Sequence, residues 1–205
     1  QKVISSGMLG KLVEYEAHYD RFRNYIKENA WREIPQPGSG ILYDLGSHLI
    51  DQALCLFGLP HEVYADIRTQ RNKGEADDAF QITLHYPEMK ATLKASMLVR
   101  EPLPHYILLG EQGSFIKYGL DPQEDWLKKG FSPATRSPWG EEPAELWGTI
   151  NTEIDGLHVI GKIESEKGSY QSFYENVYQS VVYGHPLAVC PSQARNTIRI
   201  IELAF

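Results

Sequence analysis

Asp44, His48 and Asp51 follow one another at steps of four and three within Gly38-Ser-Gly-Ile-Leu-Tyr-Asp-Leu-Gly-Ser-His-Leu-Ile-Asp51. Wound as an α-helix, that spacing lines two carboxylates and an imidazole along one stripe. Three readings of the stripe stand side by side. It can be the solvated polar face opposite a core. It can ligate a divalent ion, although no second closely spaced histidine joins it. It can also be an acid/base site, with Asp44 orienting His48 while the imidazole exchanges a proton with a substrate hydroxyl near neutral pH.

The element that must carry the stripe is a helix over 41–57. Leu42, Leu45, Leu49, Ala53 and Leu56 fall on its opposite face at core spacing, and Gly46 inside that face lets the backbone approach its support. Upstream, residues 11–22 alternate Val13/Tyr15/Ala17/Tyr19 against Glu14/Glu16/His18/Asp20, which predicts a strand with one strongly polar side. Its far end, Asp20, Arg21 and Arg23, faces either solvent or a ligand cleft. Residues 24–39 contain Pro35 and Pro37 and no period, so they form a loop in which Trp31 and Arg32 are available to a pocket. Downstream, 63–69, 80–86 and 91–97 alternate, and 106–109 pairs with 115–118 across Gly110-Glu-Gln-Gly113, giving an antiparallel meander whose apolar face the helix covers. From 119 to 168 the pattern dissolves. Trp126, Trp139 and Trp147 favour an ordered loop there, with room for a short hairpin at 148–163. Ser169 caps a helix to Tyr183 with Phe173, Val177 and Val181 on one face, and Pro191 opens a final helix in which Cys190 stands where an acid or hydroxyl would cap better.

With 205 residues the chain suffices for one large domain or two small ones. A net charge of −7 and no basic cluster longer than a pair argue against nucleic acid or an anionic membrane as partner, and a small neutral or polar ligand fits better. No apolar run reaches the roughly 18 residues of a membrane span, and the expected location is cytoplasmic, with Cys55 and Cys190 reduced. The chain begins without methionine and stops inside an apolar helical pattern, so it reads as a piece of a longer protein.

The segment 38–51 resembles the glycine-rich D-x-G-x-H-x-x-D stretch of the Gfo/Idh/MocA oxidoreductases. Gly10-Lys-Leu-Val-Glu, Gly110-Glu-Gln-Gly-Ser-Phe, Tyr118-Gly-Leu-Asp-Pro-Gln-Glu, Pro138-Trp-Gly-Glu-Glu-Pro and Ser169-Tyr-Gln-Ser-Phe-Tyr are similar to that family's C-terminal domain, the last three to its scyllo-inositol dehydrogenase-like branch. The resemblance implies an α+β fold with a large, mostly antiparallel open sheet covered on one face by helices. Residues 1–10 would end an N-terminal Rossmann domain, and 11–205 would form the substrate-binding and oligomerisation domain. It implies an NAD(P)-dependent oxidoreductase acting on a CH–OH group of a sugar or polyol, or else a non-catalytic sugar-sensing or dimerisation domain. His48 matches the catalytic histidine, Asp44 the acid beside it and Asp51 a contact to substrate hydroxyls, with Arg32 and Asp20 as further substrate-binding candidates. NAD or NADP and the family's catalytic lysine would belong to upstream sequence, leaving no cofactor-binding residue and no metal in this chain, which alone would be inactive. A homodimer or higher homo-oligomer is expected through the sheet's semi-polar face, where Thr83, Thr92 and Ser96 leave few charges.

Overall fold

Apolar side chains at every second position commit a segment to a half-buried sheet, and strands so patterned pair here with others into a sheet of eight. The computed structural model describes all residues, 1–205. After a short helix α1 (Lys2–Ser5) come β1 (Leu12–His18), helix α2 (Ser47–Phe57), β2 (Glu62–Arg68), β3 (Ala79–His85), β4 (Lys90–Ser96), β5 (Tyr106–Gly110) and β6 (Gly113–Lys117). Helix α3 (Gln123–Lys128), β7 (Gly148–Ile154), β8 (Leu157–Ile163), α4 (Tyr170–Tyr183) and α5 (Pro191–Ala204) complete the chain. All strands join one sheet in the order β2-β3-β4-β1-β5-β6-β7-β8, where only β1 and β4 run parallel. This is the expected α+β architecture with a mostly antiparallel open sheet.

On one face the register sets Val63, Leu84, Ala91, Tyr15, Leu108, Phe115 and Ile150 side by side. Leu49, Ile50 and Ala53 of α2 and Ile200 and Ile201 of α5 are buried in the same core. Each large aliphatic side chain removed from water there contributes about 1.5–3 kcal/mol. A Cβ on Gly46 would stand 2.6 Å from Leu42 Cδ1 and 3.2 Å from the Phe80 ring, so the missing side chain lets the helix rest on β3.

Several expectations are corrected. The start of the predicted 41–57 helix, Leu42–Gly46, is π-helical, with the Ser47 N–H reaching back to the Leu42 carbonyl. The 119–168 segment is not all loop: it supplies α3, and the hairpin allowed for at 148–163 is present as two seven-residue strands, β7 and β8. Helix α4 is capped by Ser169, as its sequence implies, yet it buries no residue, and Phe173 and Val181 lie on the surface. At α5, Gln193 Oε1 accepts the Cys190 N–H at 2.6 Å, the glutamine half of a capping box in which cysteine stands at the N-cap. The face of the sheet away from α2 is not poor in charge. Glu14–Lys90, Glu16–Lys94 and Asp66–Arg68 ion pairs stand on it, beside a row in which Tyr64, Thr83, Thr92, Glu16, Ile107, Ile116, Thr149 and Lys162 cross all eight strands. No helix is long and apolar enough to cross a membrane.

Candidate active site

Two loops fix where the organising helix begins. Gly40 adopts φ +87°, and a side chain there would run into the Asp77 carboxylate. Asp77 accepts the Leu42 N–H at 2.8 Å through its side chain and the Ile41 N–H at 2.9 Å through its carbonyl, capping the π turn from a distant segment. Burial raises the pKa of that carboxyl against these hydrogen bonds. Next to it Arg71 and Asp78, 6% and 1% exposed, pair at 2.8 Å. The same guanidinium reaches Glu33 at 2.6 Å and the Tyr25 carbonyl at 2.7 Å. Burial opposes its charge, but Glu33 and Asp78 outweigh that and raise its pKa. The loop carrying Trp31 and Arg32 is thereby clamped over the start of the helix.

His48 stands on the first turn of α2, exposed, with no hydrogen-bond partner in the chain. Its ring centroid lies 6.1 Å from that of Tyr19, just past the end of β1. Asp44 does not hold the imidazole: its Oδ1 is 2.9 Å from Arg32 Nε, and Arg32 lies 4.6 Å over the Trp31 ring. The orienting hydrogen bond expected between Asp44 and His48 is therefore absent, whereas Arg32 does join the site. Asp51 turns toward α5, where it accepts from Thr197 Oγ1 at 3.4 Å. Asp20 is not brought to His48 at all. Its carboxylate takes His18 Nδ1 at 2.9 Å and the Ser96 N–H at 3.1 Å, and it lines a 360 Å³ cleft on the other face of the sheet with Asp66, Arg68 and Lys94. His18 Nε2 also meets Glu16 at 2.8 Å; burial disfavours its charged form, but the two carboxylates prevail and raise its pKa. No group of three His, Cys, Asp or Glu side chains is placed to hold a metal ion.

Other residues around His48 gave no local signal in the sequence. His105 is packed behind Tyr19 with ring centroids 5.8 Å apart, and burial pushes its pKa down to about 4. Gln123, wholly buried, donates to both Asp121 oxygens at 3.1 and 2.9 Å and accepts from Trp139 Nε1 at 2.9 Å and the Tyr170 N–H at 3.2 Å. It ties α3, the Trp139 loop and the start of α4 into one wall. The neighbouring Glu124 carboxyl is held below its ordinary pKa, chiefly by Lys128 and more weakly by Arg21 and His48.

A family model described as the oxidoreductase family, C-terminal alpha/beta domain, matches residues 1–205. Among characterised proteins, scyllo-inositol 2-dehydrogenase (NADP(+)) IolW of Bacillus subtilis is 39% identical over 204 residues, covering 100% of this chain and 56% of that protein. The uncharacterized oxidoreductase YhhX of Escherichia coli is 37% identical over 205 residues, covering 100% of the chain and 58% of that protein. The solved structure of a Bacillus subtilis protein described as oxidoreductase YvaA superposes with a TM-score of 0.91 at 37% identity, over 99% of this chain and 57% of that one. The chain thus spans less than two thirds of the length of the relatives it matches.

Proposed function

The chain belongs to the Gfo/Idh/MocA oxidoreductase family as its C-terminal α/β domain, and from that premise we propose that it is the substrate half of an NAD(P)-dependent dehydrogenase acting on a CH–OH group of a sugar or polyol. The observation that carries this reading is the His48 imidazole, seated firmly on a π/α junction yet left unpartnered and open to solvent. Support for the substrate and nucleotide comes from the 39% identical relative named for scyllo-inositol and NADP(+).

In this reading His48 accepts the hydroxyl proton as general base. Asp44, neutralised by Arg32, acts on the imidazolium through its field, and Asp51, one turn beyond His48, would leave its bond with Thr197 to take a substrate hydroxyl. Nicotinamide, when bound, takes the hydride from the carbinol carbon. No Gly-rich turn between a strand and a helix offers backbone N–H groups to a pyrophosphate in this chain, so a separate Rossmann domain is required to hold the nucleotide. The domain reading of 11–205 as substrate-binding and 1–10 as the end of that other domain is part of the same proposal. Calorimetry of the chain alone with NAD and NADP should show no binding in the micromolar range, while the full-length protein binds one of them and oxidises an inositol or aldose. Tight nucleotide binding by the chain alone, or no polyol turnover by the full-length protein, would overturn the reading.

The open face of the sheet serves self-association in the same proposal. Ile107, Ile116 and Ile160 lie among ion pairs that are already satisfied within the chain, so a second copy can dock without stranding charge. Sedimentation at micromolar concentration should give a dimer or larger, and Ile107→Glu combined with Ile160→Glu should give monomer. A monomeric wild type would remove the sheet face from the interface.

A further inference from the structure

An imidazole that makes no hydrogen bond in the chain keeps its side-chain angles only through what packs against it. For His48 the one aromatic ring in contact is Tyr19, 6.1 Å away between centroids and tilted by 37°. Tyr19 is itself held on two sides. Its N–H donates to the Lys94 carbonyl at 2.9 Å, pinning it to β4 just past the end of β1, and its ring meets His105 edge-on, 5.8 Å away at 88°. His105 is 7% exposed, and burial keeps it uncharged near neutral pH, so it packs as a flat neutral ring. It lies 4.2 Å from Tyr106 between centroids. The Tyr106 hydroxyl donates to Gln52 Oε1 at 2.9 Å, one helical turn beyond His48.

The contacts thus leave α2 at His48 and return to it at Gln52. A branch runs further: Tyr106 lies 6.2 Å from Tyr15, which is 1% exposed, and Tyr15 lies 5.3 Å from Phe57, the last residue of α2. Rings at about 4.5–7 Å attract in offset or edge-on arrangements, and in a close-packed circuit no member shifts without its neighbours. Holding a base by packing also has a chemical use. A hydrogen bond to the chain would occupy one of the two imidazole nitrogens, whereas a ring contact leaves both open to a substrate proton. We propose that Tyr19 is a positioning residue for His48, fixing the rotamer of the imidazole through a circuit of His105 and Tyr106 that closes on Gln52 of the same helix. The inference rests on the dehydrogenase reading of His48.

The test uses the full-length enzyme with scyllo-inositol, myo-inositol and D-glucose as probes. Tyr19→Leu should lower kcat by about 10- to 100-fold with KM within about threefold of wild type, since a base misplaced by about 1 Å loses rate rather than affinity. Tyr19→Phe keeps the ring and should hold kcat within about threefold of wild type. Tyr106→Phe breaks the bond to Gln52 alone; it should lower kcat by about three- to tenfold and add little when combined with Tyr19→Leu, because both act through one circuit. A folded Tyr19→Leu with kcat within about twofold of wild type overturns the proposal. So does a Tyr19→Phe as slow as Tyr19→Leu, which would put the hydroxyl rather than the ring in the chemistry, and so does a matching rise in KM, which would make Tyr19 a substrate contact. If Tyr19→Leu fails to fold, Tyr106→Phe decides, and there an unchanged kcat overturns the circuit. If wild type turns over none of the probes, the dehydrogenase reading falls, and the circuit is judged by the χ1 couplings of His48 in NMR of the full-length protein labelled at histidine. A single rotamer in wild type that averages in Tyr106→Phe supports it; averaging in wild type, or one rotamer in both, overturns it.

Discussion

Replacing His48 with asparagine in the full-length enzyme is expected to cut kcat by about 10²–10⁴, with KM for the polyol moving by less than about threefold. The imidazole is exposed and bonded to nothing in the chain, so its loss should not disturb the core beneath it, where Leu45 and Leu49 are 2% and 0% exposed. Steady-state kinetics beside a thermal melt separate the two effects. A folded variant with undiminished kcat would take His48 out of the chemistry. Asp44→Asn should cost less than His48→Asn, because its carboxylate is bonded to Arg32 and reaches the imidazole only through space. Equal losses from the two variants would instead favour a direct Asp44–His48 bond formed when substrate binds.

Asp78→Asn is expected to lower the melting temperature by about 10 °C, and Arg71→Met by at least as much. Breaking a buried ion pair from one side costs about 3–5 kcal/mol because it strands the other charge, and in a chain of this size each kcal/mol shifts the midpoint by about 2–4 °C. Asparagine keeps the shape of Asp78 but not the charge facing Arg71, which is left with Glu33 alone. The effect should not stop at stability. Arg71 also holds the Tyr25 carbonyl, so amides of residues 24–39 should exchange faster in either variant. A midpoint unchanged within about 2 °C and unaltered exchange would show that this cluster contributes little to either.

Helix α2 and strands β2 to β6 were legible because each is specified by its own spacing: Leu45, Leu49 and Ala53 return at helical steps, and Phe80, Ile82 and Leu84 alternate. What escaped was set by distant partners. In β7 the inward side chains are Gly148, Ile150 and Thr152, all buried, so a strand with a sound register shows almost no apolar alternation, and 148–163 read only as room for a short hairpin. Nothing local tells that Asp77 caps a helix 35 positions upstream or that Gln123 meets Trp139 in the interior. Polar residues read as surface until their partners are known. The same limit explains the candidate residues. His48, Asp44 and Arg32 share a neighbourhood because one helix start and the loop before it carry them. Asp20 ends the strand beside Arg21 and Arg23 and does line a cleft, yet a single step along a strand sends a side chain to the opposite face, away from His48. Helix α4 was placed correctly from its cap, but a helix pattern says only that one face is apolar and not what lies against it.

The position of β1 also bears on how the chain reaches its native state. Strands β2 to β4 and β5 to β8 are two runs of sequential neighbours, the second carrying the long α3 excursion between β6 and β7. Within the sheet they are joined only by β1, which precedes both in the chain and pairs with both: Glu16 bonds Lys94, 78 positions away, while its backbone pairs with Ile107 on the other side. Closing loops of that length is entropically costly until the contacts that reward it are in place. The first strand of this sheet is therefore expected to be the last fully secured, a seam whose closing joins the two halves into one sheet.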